Sequence, residues 1–240
     1  MSNWQDGPLC AFDTETTGVD PQEARVVTAY LGLVEHGMPS EERSWLADPG
    51  VEISEGATAI HGITTAFARQ HGLPSPETIG AVAHGICGYL AMGIPVVVYN
   101  AAFDFTLLDR ECRRNGLPGL EEMLGGPVRP VIDPLVLDKR MDRYRPGKRT
   151  LTAACAHYGV ALDRAHDAAV DALAATGVAR AIATRYPEVA ALSLERLHDL
   201  QVKASAEQAA SLQSYLRRQG SETIVDGSWP LRPYRGEVPA

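Results

Sequence analysis

Two carboxylates stand one residue apart in the stretch Leu9-Cys10-Ala11-Phe12-Asp13-Thr14-Glu15-Thr16-Thr17-Gly18. Side chains alternate along a strand, so Asp13 and Glu15 project from one face. The apolar run before them belongs in a core, where paired like charges are costly unless a cation compensates them. Hard divalent cations prefer several carboxylates, which would reverse that cost. Taken alone, the pair reads more readily as two solvated acids at a strand end, where acids are common. A second cluster, Tyr99-Asn100-Ala101-Ala102-Phe103-Asp104, follows an apolar run, the position where α/β proteins carry ligand-binding loops. Asp104 also suits the first turn of a helix, stabilised by its dipole, and Asn100 could cap that turn or hold a neighbouring acid. A third cluster is His166-Asp167-Ala168-Ala169-Val170-Asp171. Five helical residues turn through about 500°, so His166 meets Asp171 only if His166 lies in the loop leading in. Asp167 shares the face of Asp171, and geometry alone leaves it a competitor for the same role or an N-cap.

The elements that must position these groups are legible as an α/β pattern. Residues 9–13 read as a strand, 25–36 as a second, and 40–46 as a third returning after the His36-Gly37-Met38-Pro39 turn. These three form an antiparallel meander. A short helix is expected from about Thr65, and a longer one from Pro76 to Met92, with Pro76 in its first turn and Gly93 ending it. The continuous apolar runs at 95–99 and 130–132 are expected to be strands buried on both faces. Helices are expected at 103–115, 134–142, 150–158 and 167–184. Residues 187–240 differ: an approximate helical stripe from Leu194 to Leu216 gives way to the Pro-rich DGSWPLRPYRG tail. The organisation predicted is a domain over 1–186 and a C-terminal helical extension over 187–240 packed on it.

The hydrophobic fraction of 45% supplies an ordinary globular core. A formal net charge of −8 argues against a broad basic nucleic-acid face, but not against a local phosphate site. Carboxylates that hold metal count as negative in that sum, although the loaded site can be neutral or positive. Cys10, Cys87, Cys112 and Cys155 lack zinc-ligand spacing and read as free thiols in a reducing compartment. No apolar run approaches the roughly 18 residues of a transmembrane helix. The opening MSNWQDGPL lacks a signal-peptide layout. The expectation is a cytoplasmic protein with no membrane partner.

Together the segments FDTETTG, AIHGIT, NAAFD, RYRPGKRTL and HDAAVDA, in that order over roughly residues 8–185, resemble the DEDDh 3′–5′ exonucleases. The likeness is to the epsilon (proofreading) subunit type of bacterial DNA polymerase III. The resemblance implies a ribonuclease H-like α/β fold, a mixed β-sheet whose three-stranded antiparallel meander is flanked by helices. It implies that Asp13, Glu15, Asp104 and Asp171 hold two Mg²⁺ or Mn²⁺ ions and that His166 is the general base, leaving Asp167 as a cap. It places Thr16, Thr17, Gly18, His61, Asn100 and Phe103 beside the substrate, and gives Asp133 a supporting role. The activity implied is release of nucleoside 5′-monophosphates from the 3′ end of single-stranded or frayed nucleic acid, with DNA favoured. The rivals are an RNA exonuclease of the same chemistry and a non-catalytic nucleic-acid or polymerase-binding module.

Departures from the family pattern are Tyr99, where many relatives carry histidine, and Gly56, where the epsilon type often has a glutamate. Residues beyond 187 also lack the Gln-rich linker of the epsilon subunit, so a DNA polymerase is a candidate partner that does not follow from the match. The stretch Lys139 to Arg149 holds six basic residues and reads either as a solvated turn or as a phosphate track.

Overall fold

The computed structural model describes residues 3–163, 165–234 and 236. The continuous apolar run Leu9–Phe12 and the apolar 26–34 run make the central pair of a six-stranded sheet. In chain order the strands are β1 (Leu9–Thr16), β2 (Val26–Glu35), β3 (Met38–Asp48), β4 (Leu73–Pro74), β5 (Val96–Val97) and β6 (Val131–Ile132). Across the sheet they lie β4-β3-β2-β1-β5-β6. β1 runs antiparallel to β2, β2 to β3, while β5 is parallel to both β1 and β6. This is the mixed sheet with an antiparallel meander expected from the sequence.

Ten helices among the described residues cover it: α1 (Glu55–His61), α2 (Thr65–His71), α3 (Ser75–Ala91), α4 (Ala101–Arg114), α5 (Leu120–Leu124), α6 (Pro134–Met141), α7 (Leu151–Tyr158), α8 (Ala168–Arg185), α9 (Pro187–Ala190) and α10 (Leu194–Arg218). Cys10 and Phe12 on β1 pack with Ile79, Val82 and Phe105 of α3 and α4. Leu9, Val97 and Ile132 pack with Ala175, Val178 and Ile182 of α8 on the other face. One sheet between two helical layers is the arrangement that buries both faces of β1 and β5. None of the described helices is long and apolar enough to cross a membrane, and all four cysteines are free thiols.

Several short elements differ from the sequence expectation, a 3-10 turn at Trp4–Asp6 and α9 among them. The 49–64 stretch contains α1, capped by the Ser54 hydroxyl, which accepts from the Ala57 N–H at 3.1 Å, and ended by Gly62 at φ 78°. β4 and α5 are also new, each at most five residues long. The apolar run 95–99 contributes ladder pairs only at Val96 and Val97, though the Val98 N–H still reaches the Ile132 carbonyl at 3.0 Å.

β6 ends the sheet, and an edge strand presents unpaired backbone groups. α10 covers that edge with side chains. His198 Nδ1 accepts the Val131 N–H at 3.2 Å. The Gln201 amide donates to the Val131 carbonyl at 3.1 Å and accepts the Asp133 N–H at 2.6 Å. Both side chains are buried, and burial pushes the His198 imidazole down to about 4, so it stays neutral as an acceptor.

Candidate active site

The three sequence clusters meet where β1 and β5 end. Asp13 and Glu15 lie on the β1 face turned toward α8, alongside Leu9 and Ala11, which pack on that side. A register shift between Glu15 and Thr16 breaks the ladder with β2 at this point. Such bulges bend a strand and re-aim its side chains. Thr14 points the other way, and its hydroxyl donates to Asp104 Oδ1 at 2.6 Å. Asp104 itself is buried in the first turn of α4. Asp171 sits in the first turn of α8, whose N-cap is Asp167; the Asp167 carboxylate accepts the Ala169 N–H at 3.1 Å.

His166 precedes that cap in the left-handed region at φ 71°, a conformation uncommon outside glycine and costing on the order of 1 kcal/mol or more. The twist lets its N–H donate to Asp171 Oδ2 at 3.0 Å. It also brings a ring nitrogen, a Glu15 oxygen and an Asp171 oxygen within 4.8 Å of one another. The loop conformation thus solves the spacing problem that a continuous helix would pose.

Burial and mutual repulsion dominate the electrostatics. The Asp13 carboxyl is held well above its usual range, by burial first and then by Asp104, Glu15 and Asp171. Glu15 is pushed up to about 7 by burial, then by Asp171, Asp104 and Asp167. Burial pushes Asp104 up to about 7 even against the Thr14 hydroxyl. Asp171 is raised by burial too, and its Oδ1 is buried with no hydrogen-bond partner. Four converging carboxylates, short of donors and one with an orphaned oxygen, fit a hard divalent cation. A donor set of carboxylate oxygens matches the chemistry of Mg²⁺ or Mn²⁺ better than that of a soft metal.

Of the groups expected beside the substrate, His61 lines a cleft together with Glu15 and His166. The Thr16 hydroxyl donates to the Gly18 carbonyl at 2.7 Å, and Thr17 Oγ1 accepts the Arg25 N–H at 3.0 Å, which fixes the turn after β1. A Cβ added at Gly18 would meet no atom within 4 Å, and the fold itself does not demand glycine there. His61 Nδ1 accepts the Ile63 N–H at 3.1 Å, which leaves Nε2 to donate to the Thr16 carbonyl at 3.3 Å. His61 therefore ties the threonine turn, through Nε2, to the loop after α1 at Ile63, through Nδ1, and burial lowers its pKa. Phe103 is half-buried against the α3–α4 core.

Asn100 departs from one expectation. It stands at φ 70° and its side chain makes no cap hydrogen bond. Asp133 performs that task from a distance in sequence: its two oxygens accept the Asn100 and Ala101 N–H groups at 3.0 and 2.9 Å. Asp133 also accepts from Leu135, Val136 and the Trp229 indole at 2.9, 3.4 and 3.2 Å. The start of α4, and with it Asp104, is thereby tied to β6 and to the C-terminal segment. Only the match to a family pattern singled out Asp133 in the sequence; Trp229 gave no signal there.

The basic stretch 139–149 is divided in the same way. The buried Asp138 carboxylate binds Arg145 at 2.7 Å, Arg149 at 2.7 Å and the Tyr158 hydroxyl at 2.9 Å. The Tyr99 hydroxyl donates to the Arg149 carbonyl at 2.8 Å, so the residue that stands in place of histidine anchors this loop. Two of the six cations are thus fixed inside the loop instead of facing a ligand.

The sequence profile of the RNase T family, described as exonuclease, matches residues 10–179. DNA polymerase III PolC-type of Thermotoga petrophila is 30% identical over 144 residues, 60% of this chain and 10% of that protein. The PolC-type protein of Streptococcus suis is 30% identical over 169 residues, 70% of this chain and 10% of its own. An epsilon-like DNA polymerase III subunit protein of Rhodobacter capsulatus is 33% identical over 103 residues, 42% of this chain and 14% of that one. The chain spans about a tenth of the length of the PolC-type relatives it matches. Among solved structures, E. coli exonuclease I in complex with a dT13 oligonucleotide superposes with a TM-score of 0.63 at 20% identity, over 76% of this chain and 42% of that chain. Exonuclease X in complex with 5′ overhanging duplex DNA superposes with a TM-score of 0.54 at 22% identity, over 80% and 99%. At those identities the structural likeness is one of fold.

Proposed function

The chain belongs to the RNase T exonuclease family, and from that premise we propose that it is a metal-dependent 3′–5′ exonuclease acting on single-stranded or frayed DNA. The observation that carries this reading is the cluster of under-bonded carboxylates, with the orphaned Asp171 Oδ1 among them. Two Mg²⁺ or Mn²⁺ ions held by Asp13, Glu15, Asp104 and Asp171 would supply an activated water and stabilise the developing charge on the leaving oxygen.

The chain's own groups then have distinct tasks. His166, exposed and within reach of Glu15 and Asp171, takes the proton of the attacking water at a ring nitrogen. The bond from phosphorus to the 3′ oxygen breaks, and a nucleoside 5′-monophosphate leaves. The Thr16-Thr17-Gly18 turn, clamped by His61, accepts the last nucleotide against its backbone; the open space at Gly18 supports this. Phe103 stacks on a terminal base, a contact that tolerates any sequence. Asn100, whose amide makes no cap bond, is available to a phosphate.

DNA is favoured because the PolC-type relatives are DNA polymerases and the likeness of fold extends to structures solved with DNA. Proofreading, repair and maintenance all use this reaction, and a DNA polymerase is a partner within the same proposal. The division into a domain over 1–186 and an extension over 187–240 belongs to the proposal as well.

Digestion of 3′-labelled and 5′-labelled single-stranded DNA and RNA of one sequence, with Mg²⁺, Mn²⁺ or EDTA, tests it. Mononucleotides are expected from the 3′ end of DNA, with none in EDTA. His166→Ala should lower the rate by about 10²–10⁴-fold with the fold intact. Release that persists in EDTA, or an unchanged rate in His166→Ala together with loss in Asp167→Ala, overturns the reading.

A further inference from the structure

We propose that the C-terminal extension and α6 form a groove that holds the single-stranded DNA upstream of its 3′ end. This deepens the exonuclease reading and rests on it. The groove has a volume of about 730 Å³ and reaches Asn100 and Ala102 at the start of α4. It therefore reaches the turn that leads into Asp104 at the start of α4. Its other walls are α6, α10 and the segment from Val225 to Arg232. Most of this surface lies outside the stretch of chain that matches the family, residues 10–179.

Charge complementarity identifies the occupant. Lys139, Arg140, Arg143, Arg218 and Arg232 line one groove in a chain whose net charge is −8. Arg140 is paired with Glu207 at 3.1 Å, and Lys139 feels Asp133 and Asp138. Arg143, Arg218 and Arg232 form no ion pair among the described residues, and the Arg232 Nε is buried without a hydrogen-bond partner. Of the remaining acids in the lining, Asp133 already accepts five N–H groups, and Asp226 stands at the C-terminal wall. Arg143 lies over the Tyr144 ring at 5.7 Å, but cations gathered without counter-charges repel one another until a polyanion neutralises them. Beside them Leu212 and Tyr215 are about half exposed, at 48% and 52%. Phosphates along a track of cations and bases against an aromatic ring are how single strands are held without sequence preference.

The experiment uses the full chain. Binding of 5′-fluorescein oligothymidylates of increasing length is followed by anisotropy in EDTA across a salt series, for the wild type, Arg143→Ser/Arg218→Ser and Arg218→Glu. Arg43→Ser, on β3 outside the groove, serves as the control. Wild-type affinity should rise with strand length. The double variant should lose about tenfold on long strands, with the log–log salt slope shallower by about 1.4, or about 0.7 for each lost cation. Arg43→Ser should change neither quantity. Thermal midpoints near the wild type would show that both groove variants fold. Unchanged affinity and slope in both groove variants overturn the groove. So does displacement of the strand by poly-glutamate at equal charge, which would mark an acidic protein segment as the occupant. Turnover of the p-nitrophenyl ester of thymidine 5′-monophosphate by the wild type with Mg²⁺ reads the carboxylate cluster without the groove. Its absence overturns the exonuclease reading itself, whatever the binding data show.

Discussion

Asp138 and Asp13 are carboxylates set into the same domain, yet their surroundings push them in opposite directions. Burial acts to raise Asp138, but Arg145, Arg149 and Tyr158 bond to it and hold it below its usual value. Asp13 meets burial plus three further acids and is held far above its own. One carboxylate has its positive charge built into the chain, while the other has been denied it. A sequence that places two arginines and a tyrosine around one acid can do the same around another. Their absence from the β1 end is therefore a property of the site, and it leaves the acids to a cation from solution.

Removing each charge tests that comparison most directly. Asp138→Asn leaves the partly buried Arg145 and Arg149 without a counter-charge at an otherwise buried position. A loss of about 3–5 kcal/mol of stability is expected, read as a fall in the denaturant midpoint. Asp13→Asn should do the reverse for the metal-free protein. It relieves repulsion and should stabilise by about 0.5–2 kcal/mol, while exonuclease activity falls by at least about a hundredfold. If both variants lose stability alike, the two carboxylates are not opposites and the contrast fails.

Proton linkage gives a smaller effect of known sign. Glu15 and Asp104 both stand at about 7, above their ordinary values, so the folded chain binds protons more tightly than the unfolded one. Their contribution is complete below about pH 4 and is lost as pH rises through 7. Without metal, the melting temperature should fall between pH 5 and pH 8, a change worth about 2 kcal/mol after allowance for solvent screening. Mg²⁺ should raise it most at pH 8, where the carboxylates are ionised, and least at pH 5. A metal effect that is the same at both values would separate binding from these acids.

The sequence made the chemistry more legible than its scaffolding. Asp13, Glu15, Asp104, Asp171 and His166 each sat in a short pattern of chemically distinct residues, and the structure brings all five to one place. The meander and the covering helices were also readable, because β2 and α3 are long enough for their pattern to emerge. α1 was missed although Ser54 and Gly62 marked both ends, since seven residues carry little periodicity. The double duty of His61 could not be read, because its partners at Thr16 and Ile63 are joined only by the fold. The same holds for the segment after α10, whose extended backbone has no period to detect.

Trp229 in that segment gives the finest test of the contrast, because Asp133 lies between its two extremes. Asp133 is buried with five N–H donors and no cation bonded to it, and burial raises its carboxyl even against those donors. Trp229→Phe removes the indole donor alone and keeps a ring against His198, now 4.9 Å away. Four donors remain, so the loss should be near the lower end for a bond to a charged group, about 1.5 kcal/mol. Because the other donors include Asn100 and Ala101, a looser Asp133 loosens the turn that presents Asp104. Rate measurements should then show a lower kcat, with the KM for a short oligonucleotide little changed. A variant that loses stability and keeps its kcat would mean that the Asp133 hub supports the fold without positioning the acid cluster.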